Sequence, residues 1–186
     1  MKVIGFIGSP RNDGNTAWAV EEILKGAEET GAETETWYSG DLDLRPCSGC
    51  LGCAKTGECV IDDDMQKIHT SFREADALVL GSPVYMGQMS AQTKIFADRL
   101  SALVSPRFSP RFKEENAGKM MIMVFTQGNP DPSKFKTYYD YTESMFRILE
   151  FDVRDVIVIA GTRDRQTDEM KLNDSMRKAG SALVTE

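Results

Sequence analysis

Four short and nearly unbroken apolar runs constrain this chain more than any other feature. They are residues 2–8, DALVLGSPVY at 76–85 closing on Gly81-Ser82-Pro83, the start of KMMIMVFTQGNP at 119–130, and VRDVIVIAG at 153–161. A strand that shows one face to water alternates apolar and polar residues. A run without alternation fits a strand covered on both faces. A fifth strand is expected at 33–38, where ETETWY does alternate. Helical spacing fills the intervals. From Gly14, residues Ala17, Val20, Ile23, Leu24 and Ala27 recur three and four apart, and Gly31 is the stop. Helices are also expected from Asp62-Asp63-Asp64 to about Arg73, over 90–104, over 131–149, and from about Thr167 to Leu183. The β-α order repeated five times predicts a parallel, doubly wound α/β sheet with helices on both faces.

No linker or shift in composition divides the 186 residues, so a single domain over 1–186 is expected. No apolar run approaches a bilayer span, and the first residues lack a signal-peptide pattern, which predicts a cytoplasmic protein with no membrane partner. A net charge of −7 argues against nucleic acid as a partner. The repeated Ser-Pro-Arg-Phe of 105–112 reads as a surface loop.

Ligands of such sheets bind beyond the carboxyl ends of the strands. Three of those ends carry unusual loops. Ser9-Pro-Arg-Asn-Asp-Gly-Asn-Thr16 offers hydroxyls, an amide, a guanidinium and a helix start, which suits a phosphate. It lacks the Gly-Lys-[Ser/Thr] ending of a triphosphate loop and the dinucleotide glycine pattern. The plainer reading is that Asn15 or Thr16 caps the helix. Ser82 to Ser90 contains Pro83, Tyr85 and Gly87. Thr126-Gln-Gly-Asn-Pro130 contains Gly128, and there Asn129 reads equally well as the cap of a helix starting at Pro130. A phosphate pocket beside two loops able to flank a planar ring points to a mononucleotide cofactor.

All four cysteines fall in one loop, at about 45–61: Cys47, Cys50, Cys53 and Cys59. Two consecutive x2 steps match the opening of ferredoxin-type ligand runs, and the x5 gap keeps the fourth thiol local. Zinc sites more often use two separated pairs. A disulfide does not suit a reducing compartment. Iron–sulfur cluster, zinc, redox thiols and empty thiols stay open at this point. His69, the one histidine, is expected to face solvent on the helix after the Asp run. Met120, Met121 and Met123 read as core filler.

The segments GSPRNDGNT, ADALVLGSPVYMGQMSAQTKIFADRL and TQGNP, in this order, resemble the flavodoxin-like NADPH-dependent FMN reductase family over roughly residues 1–160. The Cys-x2-Cys-x2-Cys-x5-Cys segment followed by VIDDDM resembles the iron–sulfur flavoproteins within it. The resemblance implies a five-stranded sheet in the order 2-1-3-4-5. It also implies FMN, with Ser9, Arg11, Asn15 and Thr16 on the phosphate. Pro83, Val84, Tyr85, Met86 and Gly87 would line the ribityl chain and the isoalloxazine. Thr126, Gln127, Gly128 and Asn129 would border the ring. Cys47, Cys50, Cys53 and Cys59 would ligate a [4Fe-4S] cluster, and a homodimer or homotetramer is implied.

The expected function is therefore an NAD(P)H-dependent flavin oxidoreductase. Its electrons would come from NAD(P)H or a ferredoxin-like donor and go to a small molecule or a protein. No side chain is assigned a catalytic acid or base role, because the chemistry belongs to the cofactors. The alternatives are a non-enzymatic flavin and iron–sulfur carrier, an NAD(P)H:quinone reductase with FMN and no cluster, and a flavin-free protein with a zinc-stapled loop.

Overall fold

The computed structural model describes residues 1–104, 118–163 and 169–185. The Ser-Pro-Arg-Phe repeat at 105–112 and the expected start of the last helix at Thr167 lie outside them. The elements run β1 (Lys2–Ile7), α1 (Asn15–Glu29), β2 (Glu33–Tyr38), α2 (Cys53–Thr56), α3 (Met65–Glu74), β3 (Ala77–Tyr85) and β4 (Gln88–Met89). They continue with α4 (Ala91–Arg99), α5 (Ser101–Val104), β5 (Met120–Thr126), α6 (Lys136–Ile148), β6 (Asp152–Ile159) and α7 (Glu169–Thr185).

Five strands pair in parallel in the order β2-β1-β3-β5-β6. Counted among themselves, they take the expected order 2-1-3-4-5. The sixth strand, β4, is an addition: two residues folded back on β3, pairing Val84 with Met89 and Tyr85 with Gln88. The chain leaves β1 first toward β2 and later, on the other side, toward β3, so the switch point lies between β1 and β3.

Successive side chains of a strand point to opposite faces, and each face here meets its own helices. Ile4, Phe6, Leu78, Leu80, Met121 and Met123 pack against α3, α4 and α6 through Ile68, Phe72, Phe96 and Phe146. Val3, Ile7, Val79, Ile122 and Val124 pack against α1 and α7 through Val20, Ile23, Met176 and Leu183. This is why the runs do not alternate. Each apolar side chain of this size buried in such a layer contributes about 1.5–3 kcal/mol. Helices α1 and α7 approach closely at two glycines. A Cβ on Gly26 would meet the Arg177 carbonyl at 2.0 Å, and one on Gly180 the Ile23 carbonyl at 1.8 Å.

Two helix boundaries differ from expectation. The helix expected over 131–149 begins at Lys136. Asn129 Oδ1 accepts from Asp131 N at 2.9 Å, and Asp131 Oδ1 accepts from Ser133 N at 2.9 Å. These side chains hold the backbone in turns that compete with a helix. Asn129 therefore closes a turn and does not cap a helix at Pro130. The helix expected over 90–104 divides into α4 and α5 around Leu100.

Candidate functional site

The phosphate-type loop connects β1 to α1. Gly14 is the N-cap of α1 and makes no side-chain capping bond, and the first turn carries no acidic residue. The leading N–H groups of this helix are thus left without a side-chain acceptor, in a dipole that favours an anion. The capping role that Asn15 or Thr16 could have played goes elsewhere. Thr16 Oγ1 bonds Thr126 Oγ1 at 2.7 Å, and Asn15 Nδ2 donates to the Thr162 carbonyl at 3.4 Å. Ser9 is buried and its hydroxyl accepts from Arg11 N at 3.2 Å, while the Arg11 side chain is exposed. Arg11 is free to reach an anion, and Ser9 and Thr16 form the wall behind it.

A buried hydroxyl network ties this loop to the next one. Ser90 caps α4, its hydroxyl accepting from Thr93 N at 3.1 Å. The same hydroxyl donates to the Gly8 carbonyl at 2.5 Å. Ser90 N donates to Ser82 Oγ at 3.0 Å, and Thr93 Oγ1 donates to Ser82 Oγ at 3.0 Å. Gly8 can be only glycine here, because a Cβ would sit 1.7 Å from Thr93 Oγ1. The ends of β1 and β3 and the start of α4 are one hydrogen-bonded unit.

The second loop is a hairpin. Strand β3 runs on through Pro83 to Tyr85, and Met86 and Gly87 turn it with φ of 51° and 81°. Pro83 is tolerated because the last β1 pair is Ile7 with Gly81, so no β1 strand lies beside it. Two successive residues in the left-handed region define the tight hairpin turn that normally prefers Asn-Gly. Met86 occupies the first place with its side chain fully exposed, and Tyr85 is also exposed. Two aromatic residues brace the hairpin. Tyr138 Oη accepts from Met89 N at 3.0 Å, and the Phe135 ring lies 3.4 Å from where a Gly87 Cβ would be.

In the third loop, Gln127 is buried and its side chain is fully used. Nε2 donates to the carbonyls of Asn129 and Asp131, and Oε1 accepts from Tyr139 Oη at 2.5 Å. It shapes the loop from behind. Burial and the neighbouring Tyr138 push the Tyr139 phenol up to about 12. Gly128 is overlaid by Arg163, whose Nε would be 2.7 Å from a Cβ there. The segment after β6 closes this side, with Gly161 N bonded to the Asn129 carbonyl at 2.9 Å.

The cysteine loop follows β2 at the same sheet edge. Cys47 and Cys50 are exposed, and Cys53 and Cys59 are half-buried. Hydrogen bonds from Gly52 N–H and from Ser48 hold the Cys50 thiol below its ordinary range. A Cβ on Gly52 would press on the exposed Val60 side chain, Cγ1 at 2.8 Å, and touch Cys50 Sγ at an ordinary 3.7 Å. Among the described residues, no three His, Cys, Asp or Glu groups are placed to hold one metal ion.

The neck of the loop is closed. Asp43 N donates to Asp64 Oδ2, and Arg45 N to Asp63 Oδ2, each at 2.9 Å. Beneath lies Arg99, 1% exposed, its guanidinium gripping Asp63 at 2.7 and 2.9 Å and the Arg45 carbonyl at 2.7 Å. Burial alone would raise the Asp63 carboxyl, but the Arg99 contacts and the Arg45 and Met65 N–H groups hold it below its usual range. Asp63 is thus more than a helix start.

His69 is a correction. It is buried, 2% exposed, with Nε2 3.0 Å from the Arg99 carbonyl. A carbonyl only accepts, so Nε2 carries the proton. Burial, helped by the charges of Arg99 and Arg73, pushes the imidazole down to about 4. The polar residue sits on the inner face of α3 because that carbonyl satisfies it, which helical spacing cannot show. Arg99, Phe135, Tyr138, Thr93 and Arg163 join the site only through the fold. Only Thr93, three after a capping Ser, carried a local signal.

The order of the sheet, the switch point and the loops around it define a flavodoxin-like protein. The sequence profile of NADPH-dependent FMN reductases matches residues 1–138. "Iron-sulfur flavoprotein MJ0731" of Methanocaldococcus jannaschii is 30% identical over 76% of this chain and 70% of its own. "Iron-sulfur flavoprotein MJ1083" of the same organism is 50% identical over 53% of this chain and 51% of its own. An NAD(P)H:quinone oxidoreductase of Methanothermobacter marburgensis superposes with a TM-score of 0.75 at 15% identity, over 98% of both chains. The chain belongs to the NADPH-dependent FMN reductase family and, within it, to the iron–sulfur flavoprotein branch. The matched segments span about half the length of the first curated relatives. Among the described residues, no helix is long and apolar enough to cross a membrane.

Proposed function

We propose that this chain is an NAD(P)H-dependent FMN oxidoreductase whose four cysteines hold a [4Fe-4S] cluster. The observation that carries the flavin half is the uncapped start of α1 at the switch point, joined by hydroxyl bonds to both neighbouring loops. The residues fit a phosphate monoester: open N–H groups, the Arg11 guanidinium and the Asn15 amide. Bound there, FMN would accept an electron pair from a nicotinamide and release electrons singly or in pairs. The chain's part is to hold it. Thr126 fixes the Thr16 hydroxyl, Gln127 fixes the third loop, and Tyr138 and Phe135 fix the hairpin that carries Tyr85 and Met86.

The donor set supports the cluster half. Four thiols stand on one loop, and among the described residues the buried Arg99 guanidinium beside it carries an unpartnered N–H. Thiolates are the soft ligands such clusters use. The same reading makes the protein a homo-oligomer. Tyr141, Met145 and Ile148 lie four and three apart on α6 and are exposed, an apolar stripe that suits a second copy.

Anaerobic purification followed by flavin, iron and sulfide analysis tests both halves. About one FMN and four irons per chain are expected. Cys50→Ser should lower iron at least tenfold while the FMN dissociation constant stays within about twofold, because the phosphate loop is separate. A colourless anaerobic preparation would sink the proposal.

A further inference from the structure

We propose that Arg99 is a positioning residue for the cysteine-bound group: it holds the neck of the loop closed and presents its free Nε–H to the anionic sulfur at Cys59. Its guanidinium joins the chain just before Cys47, through the Arg45 carbonyl, to the chain just after Cys59, through Asp63. The segment between, residues 46–61, is the length of a compact surface loop whose ends are pinned together. The backbone after Cys59 is held as well, since Gln66 Nε2 donates to the carbonyls of Cys59 and Ile61 at 2.7 and 2.8 Å.

The second half comes from an atom without a partner. Arg99 is 1% exposed, yet its Nε has no hydrogen-bond acceptor among the described residues. A buried N–H left unpaired costs about 1–3 kcal/mol, more on a charged group. Asp63 consumes two of the donors and neutralises the charge, so the ion pair alone does not account for the orphan. The Cys59 side chain stands beside this guanidinium and is one of the contacts, after Asp63, that favour the cation. A thiolate ligand, or a cluster sulfur, is the acceptor chemistry that this donor fits.

The arrangement also links the two halves of the site. Helix α4 starts in the Ser82, Ser90 and Thr93 network beside the hairpin and ends at Arg99 under the cysteine neck, about 14 Å along its axis. A cation fixed beside an anion favours the state with one more electron. Arg99 therefore sets the reduction equilibrium of whatever the cysteines hold, and this half rests on the cluster reading above.

Arg99→Met tests it. The Asp63→Asn, Arg99→Met double variant guards against misfolding, because removing Arg99 alone strands a buried carboxylate. In redox titrations of the anaerobically purified protein, Arg99→Met should lose at least tenfold in the one-electron reduction equilibrium, about 59 mV toward more negative potential, and the charge-balanced double variant should move the same way by less, because the lost Nε–H lies nearer the sulfur than the lost carboxylate. Arg99→Lys should recover most of that shift. Hydrogen exchange of the iron-free proteins reads the clamp alone. Amides of 46–61 should exchange at least tenfold faster in Arg99→Met than in the wild type. A wild-type protein without iron would defeat the cluster reading and with it the tuning half, while the exchange result would still judge the clamp. Potentials within threefold of wild type, with iron bound, would overturn the tuning role, and unchanged exchange would overturn the clamp.

Discussion

Replacing Gly8 with alanine places a methyl carbon 1.7 Å from Thr93 Oγ1, 2.9 Å from Thr93 Cβ and 3.0 Å from the Gly81 carbonyl. The Thr93 side chain cannot swing aside freely. It is buried, and its one hydroxyl proton is given to Ser82 Oγ at 3.0 Å. Overpacking of this kind costs about 1–3 kcal/mol. Expelling the hydroxyl from that bond adds about 1 kcal/mol. Gly8→Ala should therefore cost about 2–4 kcal/mol. Thr93→Ala alone forfeits only that bond, about 0.5–1.5 kcal/mol. In the double variant the worst contact is gone and the bond is already lost, so the two costs overlap. The pair should be less destabilised than the sum of the singles by at least about 1 kcal/mol. Urea unfolding of the four flavin-free proteins measures this, with the slope checked for constancy. Additivity within about 0.5 kcal/mol would refute the close contact between the β1 end and α4.

Two further outcomes follow from the geometry. His69 titrates near 6.5 when unfolded and at about 4 when folded, so the unfolded chain binds the extra proton first. Stability should be full above about pH 6.5 and fall as pH drops toward 4, by up to about 3 kcal/mol. A His69→Gln protein should lose that slope in urea unfolding across the same window, and an unchanged slope would show the imidazole to be ordinary. Met86 holds a left-handed conformation that Asn tolerates better. Met86→Asn should raise stability by about 1 kcal/mol in the same assay, and a loss would mean that the Met side chain has a partner in the assembled protein.

Much of the site was legible because its signals are local. Ser9 to Thr16, Pro83 to Gly87 and Thr126 to Asn129 fall after apolar runs, and the sheet rule puts all three at one edge. The hairpin at Met86-Gly87 was not legible, because Met-Gly is not the pair that such a turn usually takes. Gln127 and Asn129 read as ring neighbours, with Asn129 as a helix cap the plainer alternative. The cap is replaced by a turn to Asp131, and the Gln127 side chain bonds Tyr139, and nothing in a single chain segment announces either bond.

The amino-acid order by itself determined the layers. Unalternating strands must be buried twice, and helices of matching spacing must cover them, so the class and the position of the cysteine loop follow from periodicity and turn residues, while the strand order was implied by the family resemblance. Tertiary structure alone decided what lies under that loop. Arg99 is 36 residues from Asp63 and 54 from Arg45, and His69 is 30 from Arg99. A charged residue at the end of an amphipathic helix reads as solvent-facing. Only when α4 packs between the flavin-side hairpin and the cysteine neck do a carboxylate, a carbonyl and a thiol converge on it. Pairing across such separations is set by packing, because a buried charge is tolerated only where the fold supplies its partners.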